Sequence, residues 1–458
     1  MPLHSWSLHH AENIKLALPI VVGALATIGI WTVDVMAMGQ LGSTKLAAGS
    51  LGMRYYQPLY FLALGITLAV GPLVAQGLGA SEPRQIRRAL RQGIVIAIAL
   101  GLLSAPIVIT GGTVLVWLGQ DPALTNLLGG YLIWSAIGLP FIFIFFVLRQ
   151  YMVAHQRPTP QVIAMIIGLA ADVGLNHIAV HGMGPIPPTG LAGIAATTSL
   201  VYLFICIGLM IYIARSSPYR ESAPFQRLWV MDWDITKRLL KIGFPIGLTI
   251  VAESGMFIAV TLMIGLFGTA ALAAGAIANQ IAAIAFMVPI ALAQASSIRV
   301  SVFAGASDRS NTIRSGWSAV MVGLAICGFT MAVLWIAPAL WIEFFIAPDD
   351  VRFDQVMAFA VPMVIVAAIF QIPDGIQAIA TSVLRGLNDT KIPAYIGIFC
   401  FWCLGVASGG VAGFLFDGGP VAVWAGLVLG LLAAALGLLY RMIRAMRRIQ
   451  AGGDIIIQ

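Results

Sequence analysis

Residues 36–49 read MAMGQLGSTKLAAG, and residues 262–275 read LMIGLFGTAALAAG. Laid one over the other, they set Gly39 on Gly265, Gly42 on Gly268, and Leu46-Ala47-Ala48-Gly49 on Leu272-Ala273-Ala274-Gly275. The same offset of 226 residues, carried without a gap, matches Lys15 with Lys241 and Pro19-Ile20 with Pro245-Ile246. It goes on to match Gly79-Ala80-Ser81 with Gly305-Ala306-Ser307, and Arg88 with Arg314. Apolar sequence matches Ala and Leu by chance, but rarely keeps Pro, Lys, Gly and Arg in one register over so long a stretch. The chain is read as an internal duplication.

The rest of the sequence says what is duplicated. Of 458 residues, 60% are hydrophobic and only 9% are charged, and the mean hydropathy is +0.96. A soluble domain carries about 25% charged residues. This composition excludes a water-soluble enzyme, a nucleic-acid-binding domain and a disordered chain, and leaves an all-α polytopic membrane protein. A membrane-crossing helix needs about 20 apolar residues. Twelve runs qualify: 14–38, 48–78, 89–118, 126–153, 160–181, 188–214, 236–266, 270–303, 312–345, 354–384, 392–414 and 420–446. Six spans per repeat is an even number, so the two halves cross in the same direction. They are related by an axis along the membrane normal and flank a central cleft, the layout of an alternating-access transporter. The expected domains are an N-terminal six-helix lobe (1–214), a linker (215–235) and a C-terminal six-helix lobe with a basic tail (236–458). The linker stretch is polar and holds Pro218, Pro224, Trp229 and Trp233, which suits the membrane interface.

Every basic residue except Lys45, Arg54 and Arg352 falls in one set of loops and termini, from Lys15 through Arg84, Arg87, Arg88 and Arg91 to Arg441, Arg444, Arg447 and Arg448. By the positive-inside rule both termini are cytoplasmic. The net charge of +7 is then a topology signal that needs no acidic partner. No cleavable signal peptide is expected, because the first apolar run is long enough to span and stays in the chain. Cys206, Cys327, Cys400 and Cys403 lie in apolar runs, which argues against a disulfide framework or a redox pair.

Charge at bilayer depth is costly, so an ionisable residue there is a functional candidate by default. Four carboxylates qualify: Asp34, Asp172, Glu253 and Asp374. Asp34 lies about one turn from the end of the first span. Asp172 and Asn176, in LAADVGLNH, are four apart and share a helix face. Thr197, Thr198 and Ser199 of the sixth span offer hydroxyl partners. Glu253 lies two turns after Pro245 with no Lys or Arg near it in its helix. It should be protonated or hold a cation, because burial disfavours an isolated carboxylate charge. Asp374 follows Pro373, which deletes a backbone N–H and frees the Ile369 carbonyl. With Gln371 and Gln377 beside it, this kink offers oxygen ligands to Na⁺ or a proton. The alternative for all of these is a hydrogen-bonded network that only fixes helix packing. Arg54 either snorkels to the surface or pairs with Asp34. His177 and His181 read as interfacial. Met256, Phe257, Phe286 and Met287 are candidates for lining the cleft through cation–π contact. Pro19, Pro245, Pro289 and Pro373 are candidate flexing points. No enzymatic cluster and no organic cofactor are expected.

At these residues the chain resembles the multidrug and toxic compound extrusion (MATE) transporters, in their NorM-like branch. The resemblance runs from about residue 12 to 445. It is carried by VDVMAMGQLG (33–42), VAQGLGAS (74–81), SIRVS (297–301) and, most specifically, FQIPDGIQAIATSVLRGLND (370–389). The resemblance implies a V-shaped pair of six-helix bundles in a bacterial inner membrane, acting as a monomer. It also implies export of small organic cations against inward Na⁺ or H⁺ flow. It makes Glu253 and Asp374 the cation site of the second half, with Gln280 as helper. Asp34 becomes the carboxylate of the first half, with Asn176 and Asp172 in its network. The position of Asp172 is often an amide in that branch, and a second carboxylate here favours proton sharing in the first half.

Other classes fit less well. A major-facilitator transporter carries a G-x-x-x-D-R-x-G loop after its second span, whereas residues 79–92 read GASEPRQIRRALRQ. A lipid or polysaccharide-precursor flippase of the same superfamily is the nearest rival, but such proteins line the cleft with several basic residues and this interior is mainly acidic. No repeated filter-like loop suggests a channel.

Overall fold

In a computed structural model, which describes residues 5–456 other than 186, 229, 348 and 350, twelve helices are long and apolar enough to cross a membrane. They are α1 (Trp6–Gln40), α2 (Ser43–Gly79), α3 (Pro83–Ile109), α4 (Pro122–Ala154), α5 (Thr159–His181) and α6 (Gly190–Arg215). In the second half they are α7 (Trp233–Gly265), α8 (Thr269–Gly305), α9 (Arg309–Ile336), α10 (Phe353–Gly386), α11 (Lys391–Leu415) and α12 (Gly419–Gln450). Each answers one apolar run of the sequence. Trp229 of the linker lies outside the described residues.

The ends differ from the hydropathy reading for local reasons. The third run is cut at Thr110, after which Gly111–Trp117 forms a separate short helix. The ninth run is cut at Ala337 because Pro338 cannot continue the hydrogen-bond ladder and starts a new helix, Pro338–Glu343. α1 starts well before its apolar run. Its first turns carry His9 and Asn13, both fully buried, so polar side chains with protein partners extend the helix beyond the apolar stretch. α11 contains two π-helical segments, Cys400–Val406 and Val411–Leu415, a form found mostly in short insertions.

The chain divides into two compact units, and the divisions fall inside helices. One unit is Pro19–Gly247; the other joins the chain up to Leu18 to the chain from Leu248 onward. The first turns of α1 thus pack with the second unit, and the first turns of α7 with the first. Within the first unit, Thr236 of α7 donates a hydrogen bond to Gln92 Oε1 at 3.0 Å. Within the second, His10 Nδ1 lies 2.8 Å from Ser318 Oγ. These are the same two positions of the repeat, 226 residues apart.

Helices in a bilayer gain little from burying apolar surface against each other and rely on close packing instead. Gly243 and Gly247 form a G-x-x-x-G on α7 that meets α2. A Cβ on Gly65 would lie 2.1 Å from Gly247 Cα, so the two backbones touch. α4 and α10, equivalent in the repeat, are the central helices of their units. α4 shows it plainly: Phe143, Phe145, Val147, Leu148, Tyr151, Met152 and Val153 are all fully buried. A helix apolar on every side is a core helix.

Candidate functional site

In the first unit, α1, α5 and α6 converge on Asp34, whose carboxylate is buried. Asn176 Nδ2 donates to Asp34 Oδ1 at 2.8 Å and to Asp172 Oδ2 at 3.1 Å. The Thr197 hydroxyl donates to Asn176 Oδ1 at 2.7 Å, which fixes the orientation of the amide. The Thr198 hydroxyl donates to Asp34 Oδ2 at 2.9 Å. Asp172 and Asn176 are one helical turn apart, as their spacing requires, and are almost completely buried. Asp172 Oδ1 is buried and accepts no hydrogen bond from the described residues. Ser199 stands apart and donates to the Trp134 carbonyl at 2.9 Å.

Three tyrosines surround this pair. Tyr56 hydrogen-bonds Tyr131 and Ser135, and Tyr131 and Tyr202 feel the charge of Asp34. None was singled out from the sequence. Their signal was weak: Tyr56 and Tyr131 sit near the ends of apolar runs, where interfacial tyrosines are ordinary.

In the second unit, α7 contributes Glu253 and α10 contributes Asp374 and Gln377. Gln377 Nε2 lies 3.3 Å from Glu253 Oε1 and 3.4 Å from Asp374 Oδ1. Asp374 and Gln377 are i and i+3, which puts both on one face. Trp402 of α11 closes one side: its indole N–H donates to the Ala252 carbonyl at 3.1 Å, and a Cβ on Gly255 would meet its ring at 3.0 Å. The Arg385 guanidinium, in the last turn of α10, acts electrostatically on Glu253. Arg385 was counted among the loop charges, because hydropathy does not show that α10 runs on past the apolar stretch.

Each half therefore holds two carboxylates from different helices joined by one neutral amide. Two neighbouring carboxylates bridged only by a dipole, with Arg385 acting on Glu253 alone, favour binding a proton or a small cation. In the second half the oxygen ligands facing one another for a hard cation are the carboxylates of Glu253 and Asp374, to which Gln377 presents its N–H.

The remaining candidates lie elsewhere. Gln371 is buried and donates to the Ala282 carbonyl at 3.3 Å, and its side-chain oxygen has no hydrogen-bond partner among the described residues. Gln280 is exposed. Phe257 is 6.5 Å from Phe370, which stacks on Trp424 at 5.6 Å. Phe286 and Met287 are half-buried, and Met256 is fully buried, facing Gly405. Pro19 is the first residue of its unit, and Pro245 lies just before the other division. Pro289 and Pro373 are buried in α8 and α10. Arg54 is exposed, and the partners of Asp34 are Asn176 and Thr198 instead. His177 and His181 pack ring to ring at 4.5 Å, and the four cysteines are free thiols.

The profile of the family described as MatE matches residues 19–178 and 245–409. The chain is 36% identical over 447 residues to the probable multidrug resistance protein NorM of Agrobacterium fabrum, covering 97% of this chain and 96% of that one. Its fold is similar to that of the eukaryotic MATE transporter AtDTX14, with a TM-score of 0.85 and 18% identity over 98% of this chain and 99% of the other. It is also similar to the bent form of the Vibrio cholerae MATE transporter VcmN, with a TM-score of 0.87 and 17% identity over 98% and 99%.

Proposed function

The chain belongs to the MatE family, a family of secondary transporters rather than enzymes, and we propose that it is a multidrug exporter that moves small organic cations outward in exchange for inward Na⁺ or H⁺. One observation carries the proposal: each half holds a carboxylate pair bridged by an amide among membrane-spanning helices, buried but for the half-buried Glu253. Both termini are assigned to the cytoplasm of a bacterial inner membrane, on the charge asymmetry of the loops.

The exchange follows from competition for negative charge. With Glu253 and Asp374 uncompensated, the second half attracts a cationic drug. Phe257, Phe286 and Met287 offer ring faces and a thioether to a flat cation. A Na⁺ or proton arriving from outside neutralises the pair and weakens that attraction, so the drug leaves. The coupling ion acts only through its different affinity for the two states. Helices carrying Pro19, Pro245, Pro289 and Pro373 within their length are suited to the change of shape. Asp34 and Asp172, sharing Asn176, form a second place for a proton.

Ethidium transport into or out of proteoliposomes, with Na⁺ and pH gradients imposed separately, tests the reading. At least one of the two gradients should drive wild-type transport, and Glu253→Gln with Asp374→Asn should abolish the driven component. Unimpaired driven export by that variant contradicts the coupling site. Lipid scrambling without ethidium transport under either gradient favours the flippase reading instead.

A further inference from the structure

A second charged site lies away from the carboxylates, where the linker crosses the start of α3. Arg84, Arg87, Arg88 and Arg91 recur at i, i+3, i+4 and i+7, one face of the helix over about two turns. The linker strap carrying Phe225, Gln226, Arg227 and Val230 faces them, and together they line a cavity of about 740 Å³. That volume is within the usual range for small-molecule sites, about 300–1,000 Å³. The strap is held in place rather than loosely laid. Arg87 donates to Gln226 Oε1 at 3.1 Å, Gln92 donates to the Val230 carbonyl at 3.0 Å, and Asp232 pairs with Arg88.

The charge of this cavity is unbalanced. Asp232 serves Arg88 at close range and Arg91 only at 3.9 Å. Arg84, Arg87 and Arg227 join no ion pair among the described residues. Arg91 is the informative member: its side chain is 7% exposed, it lines the cavity, and while its Nη1 donates to the Arg227 carbonyl at 3.4 Å, its buried Nε has no hydrogen-bond partner among the described residues. A guanidinium buried with a donor unused is costly unless an acceptor meets it.

The surroundings favour a lipid as the source of that acceptor. The strap leads directly into exposed apolar residues: Val230 and Met231, then Trp233, Leu240 and Phe244 on the exposed face of α7. Trp beside Lys237 and Lys241 is the composition of a headgroup-level belt. Basic pockets among membrane helices on this side recognise phosphorylated headgroups.

We propose that this cavity binds the phosphodiester headgroup of an anionic glycerophospholipid from the leaflet facing the basic loops. A two-phosphate headgroup, as in diphosphatidylglycerol, fits the four-arginine face better than a single phosphate. The bound lipid ties the linker to α3. The site is independent of the coupling reaction and stands whether or not the transport reading holds.

Native mass spectrometry of the full-length detergent-purified protein, titrated with defined lipids, tests this. Diphosphatidylglycerol should be retained at least about tenfold more tightly than phosphatidylcholine, with phosphatidylglycerol between them. The double variant Arg84→Gln/Arg87→Gln, which removes groups with no ion pair, should lose about tenfold in that affinity. Arg444→Gln/Arg447→Gln, which removes the same charge from the C-terminal helix, should not. Equal binding of diphosphatidylglycerol and phosphatidylcholine overturns the proposal, as does equal loss in both double variants. Displacement by millimolar pyrophosphate with no lipid selectivity assigns the cavity to a free phosphate ion and overturns the lipid assignment. If Arg84→Gln/Arg87→Gln purifies poorly, Arg84→Lys/Arg87→Lys keeps the charge and should retain lipid selectivity.

Discussion

In the first half, Asn176 donates to Asp34 at 2.8 Å and to Asp172 at 3.1 Å, and threonine hydroxyls complete the set. In the second half, Gln377 reaches Glu253 and Asp374 only at 3.3 and 3.4 Å, and no hydroxyl joins in the described contacts. The motif is the same, two carboxylates and one amide, but the donor supply differs. Short bonds from fixed donors lock the first pair in one geometry. Long bonds from a single flexible amide leave the second pair free to take up and release a cation. The pairs are not repeat copies either: at the offset of 226 residues, Asp34 falls on Val260 and Glu253 on Thr27. The duplication supplied the scaffold: one acid of each pair lies on the equivalent helices α1 and α7 at different positions, and the other on the non-equivalent helices α5 and α10.

The largest expected effect breaks the comparison at its functional end. Glu253→Gln or Asp374→Asn should each lower gradient-driven ethidium transport at least about a hundredfold, which is about 2.7 kcal/mol of lost differential affinity. Asp34→Asn should cost less if the first pair is the more rigid one. Equal losses at both sites would erase the proposed division.

The next effect concerns stability. Asn176→Leu removes donors from two carboxylates and leaves the Thr197 hydroxyl only the Ile194 carbonyl. At about 1.5–3 kcal/mol for each hydrogen bond to a charged group, it should destabilise by about 3 kcal/mol or more. Gln377→Leu gives up only long bonds and should cost about 1 kcal/mol. Thermal unfolding of the two variants in one detergent checks the order. A larger loss at Gln377 would show that the second pair is the one held rigidly.

A smaller effect lies outside the membrane. The hydrogen bond from Arg88 holds the Asp232 carboxyl below the usual carboxylate range. A depressed value means that the contribution to stability is present above the unfolded value, about 3.9, and is lost as pH falls through the folded one. The melting temperature of the wild type should therefore drop more steeply below about pH 4 than that of Asp232→Asn. Parallel curves for the two proteins would show that this contact adds nothing.

How much of this was legible in the sequence depends on the kind of information required. The twelve spans were, because length and hydropathy decide them. Asp172 and Asn176 were expected on one face from their spacing of four, and Asp374 and Gln377 stand in the same relation at three. Rotation of whole helices was not legible, and it decides that Gln377 meets Glu253 while Gln371 turns to the Ala282 carbonyl. Arg385 was hidden because a charged residue at the end of an apolar run looks like a loop residue. The division of α1 at Pro19 and of α7 after Gly247 was hidden as well. It rests on contacts such as Gly65 with Gly247 and His10 with Ser318, which local sequence does not display.

The most direct test of the central claim is ²²Na⁺ binding to the purified protein at fixed pH, in wild type, Glu253→Gln/Asp374→Asn and Asp34→Asn/Asp172→Asn, with proton uptake followed in parallel. The account predicts that exchange of the coupling ion, whether Na⁺ or H⁺, is lost in the first double variant and is largely kept in the second. Full ion exchange by Glu253→Gln/Asp374→Asn would contradict it.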